Sequence, residues 1–273
     1  MVIEVDGEDA AALRQIWQVT DRIAAAVAQP REAAPGTSLS EDDQLTQLEG
    51  LASAVIWKSM SLCVEGLQAF AALWLGSEVL SRSTAFGFAH RPALIGACQA
   101  AWILGADGRD ERLRRVHSVA LTMTNDELDS KTDIASMQHI FQDDRRVRQS
   151  ELDDLERRRS ALSRQLGGNP ISLTRVFREL ALALPAHRFF ANDDAEQLGE
   201  TLRAQWRTHS ADCHGGGWQH RFSDPLSSND DPNSLEVRRE ADVGMIIAKT
   251  MTAAMVGLTA LEDWQEQAGF QVE

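Results

Sequence analysis

The stretch Trp206–His220, WRTHSADCHGGGWQH, holds more chemically reactive side chains than any other part of the chain. It contains three of the seven histidines and is interrupted by a run of three glycines. If a helix runs up to these glycines, Arg203, Arg207, Ser210 and His214 share one of its faces, because they are spaced four, three and four residues apart. The spacing therefore predicts a polar stripe that ends in a histidine.

This polar stripe has the groups needed for phosphate chemistry. The two arginines can hold a phosphate through charge-assisted hydrogen bonds, and Ser210 can orient it. His214 would lie at the carboxyl end of the helix, where the helix dipole favours the imidazolium form. A histidine in that position can act as a general acid or base near neutral pH.

Two simpler interpretations of these histidines stay open. His214 can serve only as a C-cap that satisfies the last carbonyls of its helix. His209 and Cys213 are four residues apart and could form a metal pair with His220 nearby. Both of them fall on the apolar stripe of the same helix, and no acid or second cysteine completes the set, so we expect no metal and no cofactor.

The motif resembles one in a known superfamily. Arg207 and His214 are separated by six residues, which is similar to the Arg-x(4–6)-His motif of the HEPN superfamily. The wider pattern resembles Tyr-Arg-x-x-Ser-x-x-x-His-Gly in uncharacterised bacterial helical proteins related to that group. Trp206 stands at the tyrosine position, and Ser210 and Gly215 match.

A second segment also resembles the family. Arg91–Leu104, RPALIGACQAAWIL, looks like the family's Arg-x-x-(Leu)-Glu helix, with Ile95 and Gly96 where the glutamate is expected. The resemblance implies an all-α domain, a homodimer and a metal-independent ribonuclease. It assigns catalysis to Arg207, Ser210 and His214, and we place Arg203, Trp206, Trp218 and His220 around the substrate.

The composition limits the partners. The net charge of −14 repels nucleic acid in general, so an RNA-directed function needs a local basic site and favours short or structured RNA. The three scattered cysteines and the acidic N-terminus without a signal peptide indicate a reducing cytoplasm. The apolar stretches Gly66–Ser77 and Thr250–Leu261 are too short to span a bilayer, which predicts no membrane association. P-loop, GxSxG, HExxH and dinucleotide motifs are absent from the sequence.

The hydrophobic periodicity is helical throughout and predicts an all-α, antiparallel multi-helix bundle with long central helices. The motif resemblance implies that this bundle is HEPN-like. We expect one domain over 1–273, with a polar helical hairpin protruding at 110–168. The predicted helices are Glu8–Gln29, Ser40 to about Leu80 with interruptions at Gly50 and Gly66, Pro92–Leu104, Asp110 to about Phe141, Arg145–Leu166, a helix capped by Ser172 and ending at Pro185, a helix capped by Asn192 and ending at Gly215–Gly217, and Ser234 to about Ala268.

Two functions follow from these observations. The first is a ribonuclease-type effector of bacterial stress response or phage defence, with RNA as substrate. The alternative is a non-catalytic helical module that uses the same surface to bind a protein or a small ligand.

Overall fold

The computed structural model describes residues 7–28, 32–46, 50–76, 83–136, 147–213 and 243–270. Within these ranges the chain forms nine α-helices and one 3-10 helix, and it forms no strand. The predicted all-α helical bundle is therefore confirmed. The helices are α1 (Gly7–Val27), α2 (Ser38–Leu45), α3 (Leu51–Gly76), α4 (Ser83–Leu104), α5 (Arg109–Ser136), α6 (Gln149–Leu166), α7 (Leu173–Ala183), α8 (Ala195–Cys213) and α9 (Val243–Ala268), with the 3-10 helix at Leu184–Ala186.

The pair α3–α4 is the centre of the bundle, and two glycines set its close packing. A Cβ atom on Gly66 would lie 2.5 Å from the backbone nitrogen of Ala93, and one on Gly96 would lie 2.4 Å from the carbonyl oxygen of Ser59. Both distances are shorter than any real carbon contact. The prediction that Gly66 interrupts the helix is wrong, because this glycine lies inside α3 and permits backbone contact instead.

The start of α4 also differs from the prediction. The helix begins at Ser83, and Pro92 lies inside it rather than in its first turn. Phe86, Ala89 and His90 precede the proline and are buried in the core. Their burial stabilises the extra turns against the cost of a proline inside a helix, since proline lacks the N–H donor and crowds the preceding turn.

The predicted interruption at Gly50 is confirmed, because α2 ends at Leu45 and α3 begins at Leu51, directly after Gly50, whose φ is +67°. Thr37, not Ser40, caps α2, since the Thr37 hydroxyl accepts a hydrogen bond from the Ser40 N–H. Asp43 satisfies the first turn of the next helix. Its carboxylate accepts from the Ser53 N–H at 3.0 Å and from the Ser53 hydroxyl at 2.5 Å. The predicted cap Ser40 thus lies in the first turn of α2, and the predicted acid Asp43 contacts α3 instead.

The helices α7 and α8 attach to the bundle through specific side chains. The indole Nε1 of Trp102 on α4 donates to Oε2 of Glu179 on α7 at 2.9 Å. Asp194, not Asn192, caps α8, because its Oδ1 accepts from the Gln197 N–H at 2.9 Å. Asn192 lies too far from the first turn, in the connection before α8.

The end of α6 matches the prediction. The helix ends at Leu166, and Gly167, with a φ of +70°, is its C-cap and gives the predicted glycine stop. α6 packs against α5. Ser172 is the residue that precedes α7. The positions Phe141, Arg145, Gly215–Gly217 and Ser234 lie outside the described residues, and the single domain with a hairpin at 110–168 stays a prediction.

The last helix, α9, is more apolar than its neighbours. Among the described residues it alone is long and apolar enough to cross a membrane by length and composition. The apolar stretch Thr250–Leu261 is extended on both sides, so the complete helix has 26 residues. More than half of its most apolar window is buried, and α9 packs chiefly against α4 and α1. This packing accounts for its apolar composition.

Candidate functional site

Helix α8 has one buried face and one polar face. Leu198, Leu202 and His209 turn towards the core, and the His209 side chain is only 3% exposed. On the adjacent face Arg207 is exposed, and Arg203 and Ser210 are half-buried. The structure thus places three residues of the polar stripe on a face that solvent can reach.

Three of the predicted site residues, His214, Trp218 and His220, lie outside the described residues. Their assigned roles stay predictions, including the acid–base role of His214.

Trp206 lies between α8 and α7. Its ring centroid is 5.9 Å from that of Phe177, and it packs against the hydrophobic core. Its indole Nε1 is buried and has no hydrogen-bond partner in the part of the chain that the structure describes. Sequence reasoning placed Trp206 beside the substrate. In the structure, its contacts join two helices.

An open groove runs beside the polar stripe, between α7 and α8. It encloses about 560 Å³, and Arg203 is the stripe residue that lines it. The α7 wall contributes Arg175 and Arg178. Sequence analysis did not single out these two arginines, although their three-residue spacing on an amphipathic helix places them on one face.

The charges in the groove are mixed. Nε of Arg175 donates to Oε1 of Glu179 at 2.6 Å, so this guanidinium is already engaged. Arg203 lies 3.7 Å from the carboxylate of Glu200, which is too long for a hydrogen bond. Arg178 is exposed and forms no ion pair with any described residue. Among the three arginines that line the groove, Arg178 and Arg203 are therefore the most available to an anion.

Behind the polar stripe, His209 contacts a second buried histidine. The ring of His90 on α4 lies 5.0 Å from that of His209 and stacks on Phe70. Nε2 of His90 is hydrogen-bonded to Oγ1 of Thr250 on α9. The Thr250 hydroxyl donates its single proton to the carbonyl of Ile246 at 2.8 Å, so Nε2 of His90 must carry the proton that it shares with Thr250.

Burial controls the charge of His90. Burial, together with the smaller effects of the nearby His209 and Lys249, lowers the pKa of His90 to about 3. His90 is therefore neutral at physiological pH, with its proton on Nε2. The His90–His209 contact lies where α8 packs on α4, together with the buried face of α8.

The described residues contain no group of three or more histidine, cysteine or acidic side chains placed to hold a metal ion. The thiols of Cys63 and Cys98 are completely enclosed in the core, and burial raises the pKa of Cys63 to about 12. Both thiols are thus protonated and shielded from reagents in solution.

The structure brings the two family-like segments together. α4, which contains Arg91–Leu104, packs against α8, and the His90–His209 contact lies at this crossing. Gly96, one of the two residues at the place where the glutamate is expected, lies at a backbone contact where no side chain fits. The family's glutamate could not be accommodated at residue 96 in this packing.

No family model, characterised protein or solved structure matches this chain. The resemblance to the HEPN superfamily therefore rests on the two motifs alone.

Proposed function

We propose that the protein is a metal-independent ribonuclease-type effector of bacterial stress response or phage defence, acting in the cytoplasm. The observation that carries the proposal is the accessible face of α8, on which Arg203, Arg207 and Ser210 follow one another. Two guanidinium groups and a hydroxyl at this spacing suit a phosphodiester. They also supply the local basic site that a chain of net charge −14 needs to attract RNA.

The chemistry is an internal transfer of the phosphoryl group. The 2′-oxygen of the ribose attacks the adjacent phosphorus, and the bond from phosphorus to the 5′-oxygen breaks. A general base takes the 2′-hydroxyl proton, and a general acid protonates the leaving 5′-oxygen. His214, the next residue of the stripe in the sequence, acts as the general base or the general acid. Arg207 stabilises the charge on the phosphate in the transition state.

A homodimer would pair two such faces across one cleft, so that each subunit contributes arginines to a shared channel. Light scattering at micromolar protein tests this arrangement. We expect twice the monomer mass of 30.1 kDa. A monomer mass would rule the shared cleft out.

The experiment that tests the activity compares the wild-type protein with His214→Ala on short labelled RNAs. We expect the wild type to produce 2′,3′-cyclic phosphate and 5′-hydroxyl ends, with or without a chelator. His214→Ala should lose cleavage and keep its helical circular dichroism. Equal cleavage by the two proteins would contradict the role of His214.

The second candidate function is a non-catalytic binding module for a protein or small ligand. The mixed charges of the α7–α8 groove favour it, because Glu196 and Glu200 lie there beside the arginines. A wild-type protein that cleaves no RNA but binds a peptide or small molecule at this face would establish the second function instead.

A further inference from the structure

The groove between α7 and α8 contains an unusual combination of side chains. Arg178 and Arg203 supply cationic donors, and Glu196 supplies an anionic acceptor on the α8 wall. A ligand that is only an anion would be repelled by the carboxylate, and one that is only apolar would leave three charges unused. The lining suits a ligand that carries an anionic group and neutral hydrogen-bond donors together.

The groove also has an exposed apolar side chain, Leu182, which we call the apolar ledge. Leu182 is 70% exposed and is one of the few large hydrophobic residues in the described ranges that are not buried by packing. Gly199 faces Leu182's helix, and a Cβ atom there would lie only 3.2 Å from the Cβ of Ala181. The glycine keeps the floor of the groove free of side chains. A flat ring could therefore lie against Leu182.

The size of the groove sets the size of the ligand. Its volume of about 560 Å³ falls within the range of pockets that hold small molecules, roughly 300–1,000 Å³. A ribonucleotide has a group for each of the three kinds of side chain named above. Its phosphate would bind arginine, its sugar hydroxyls and exocyclic amine would donate to a carboxylate, and its base would cover the apolar ledge.

We propose that the α7–α8 groove binds one ribonucleotide unit, with its phosphate on Arg178 and Arg203, its hydroxyl or amine donors on Glu196 and its base against Leu182. The inference rests on the proposed RNA function, because Arg203 belongs both to the groove and to the α8 stripe. Arg207 lies one turn further along, a rise of about 6 Å. The groove would therefore hold a nucleotide flanking the phosphate at Arg207 and select the sequence or length of the RNA.

The binding experiment uses three probes on the full chain: a 2′-O-methyl hexanucleotide that cannot be cleaved, the four nucleoside 5′-monophosphates, and inorganic phosphate. Arg178→Gln is compared with Arg14→Gln, an exposed arginine on α1 with the same change in charge. We expect Arg178→Gln to weaken hexanucleotide binding about tenfold or more, and Arg14→Gln to change it less than about twofold.

A second variant tests the ledge. Leu182→Ala should weaken the hexanucleotide about threefold or more and leave the weaker binding of inorganic phosphate unchanged. Monophosphates that bind with the same dependence on Arg178 would identify a site for free nucleotides. Binding of the hexanucleotide alone would identify a site for a unit within RNA.

Equal affinities of Arg178→Gln and Arg14→Gln for every probe, or no binding of any nucleotide by the wild type, would overturn the inference. Cleavage is measured separately on unmodified RNA. If RNA is cleaved but Arg178→Gln binds the hexanucleotide as well as Arg14→Gln does, only the nucleotide site in the groove is refuted. If the groove binds nucleotides but RNA is not cleaved, the ribonuclease activity is refuted.

Discussion

The imidazole rings of His90 and His209 lie 5.0 Å apart, and each is only 3% exposed. They belong to α4 and α8, and the two residues are more than a hundred positions apart in the sequence. Such a pair is stable only if the two rings are not both imidazolium cations, because like charges in a buried site repel strongly. The packing of α8 on the bundle therefore depends on pH.

The first prediction concerns that dependence. The pKa of His90 is about 3 in the folded protein, below its ordinary value of 6.5. The unfolded chain therefore binds the proton first as pH falls. The stability that His90 contributes is complete above about pH 6.5 and is lost as pH falls towards 3, at up to about 1.4 kcal/mol per pH unit.

Urea unfolding between pH 7.5 and 4.5 measures this loss. His90→Gln should be less stable at pH 7.5 and should show a flatter dependence on pH over this range. The residue His117, whose pKa burial also lowers, makes the useful comparison, because His117→Gln should flatten the dependence less. Identical slopes for the wild type and His90→Gln would contradict the assignment.

The second prediction concerns His209. Replacing it with alanine removes a buried ring at the crossing with α4 and leaves a cavity beside His90. We expect a loss of about 2–4 kcal/mol in the free energy of unfolding. Ser210→Ala, at the half-buried neighbour, should cost less than about 1 kcal/mol. Similar losses for the two variants would show that the histidine contact does not hold α8.

The third prediction separates chemistry from stability at Arg207. Because Arg207 is exposed, Arg207→Ala should change the free energy of unfolding by less than about 0.5 kcal/mol. RNA cleavage should fall by roughly 10²–10³, the usual effect of removing one charge contact with a transition state. Arg14→Ala is the matched control and should cleave at the wild-type rate. If both variants lower the cleavage rate by the same small factor, Arg207 acts only through the overall charge of the protein and not at the phosphate.

The fourth prediction concerns the contact between α3 and α4. Gly96→Ala places a methyl group against the Ser59 carbonyl and should destabilise the protein by about 2 kcal/mol or more. Gly168→Ala, where nothing lies within 4 Å of the added Cβ, should be nearly neutral. Thermal unfolding of the two variants side by side distinguishes tight packing from a general preference for glycine.

Sequence patterns predicted the helices well where a local signal marks them. The glycine stop after α6 and the break at Gly50 are examples, because both positions need a positive φ. The patterns failed where packing against other helices decides whether a helix continues. Pro92 and Gly66 are local helix breakers, yet both lie inside helices because their neighbours are buried in the core.

The candidate site was predictable to a similar extent. The spacing of Arg203, Arg207 and Ser210 was sufficient to place them on one face of α8. The partnership of His209 with His90 was not, because it depends on how two distant helices cross. Arg178 was also missed, since nothing in the sequence shows that α7 lines a groove with α8.

The glycine contacts between α3 and α4 have a mechanical consequence. Where the two backbones touch, no side chain can change its rotamer to let one helix slide past the other. We therefore expect α3 and α4 to move as one rigid unit, called here the beam. Helices α7 and α8 are joined to that beam through side chains, at Trp102–Glu179 and at His90–His209. Side-chain contacts can rearrange through a change of rotamer, and backbone contacts cannot. Any change of shape that accompanies filling of the α7–α8 groove should therefore be confined to these two helices, with the beam as their fixed support.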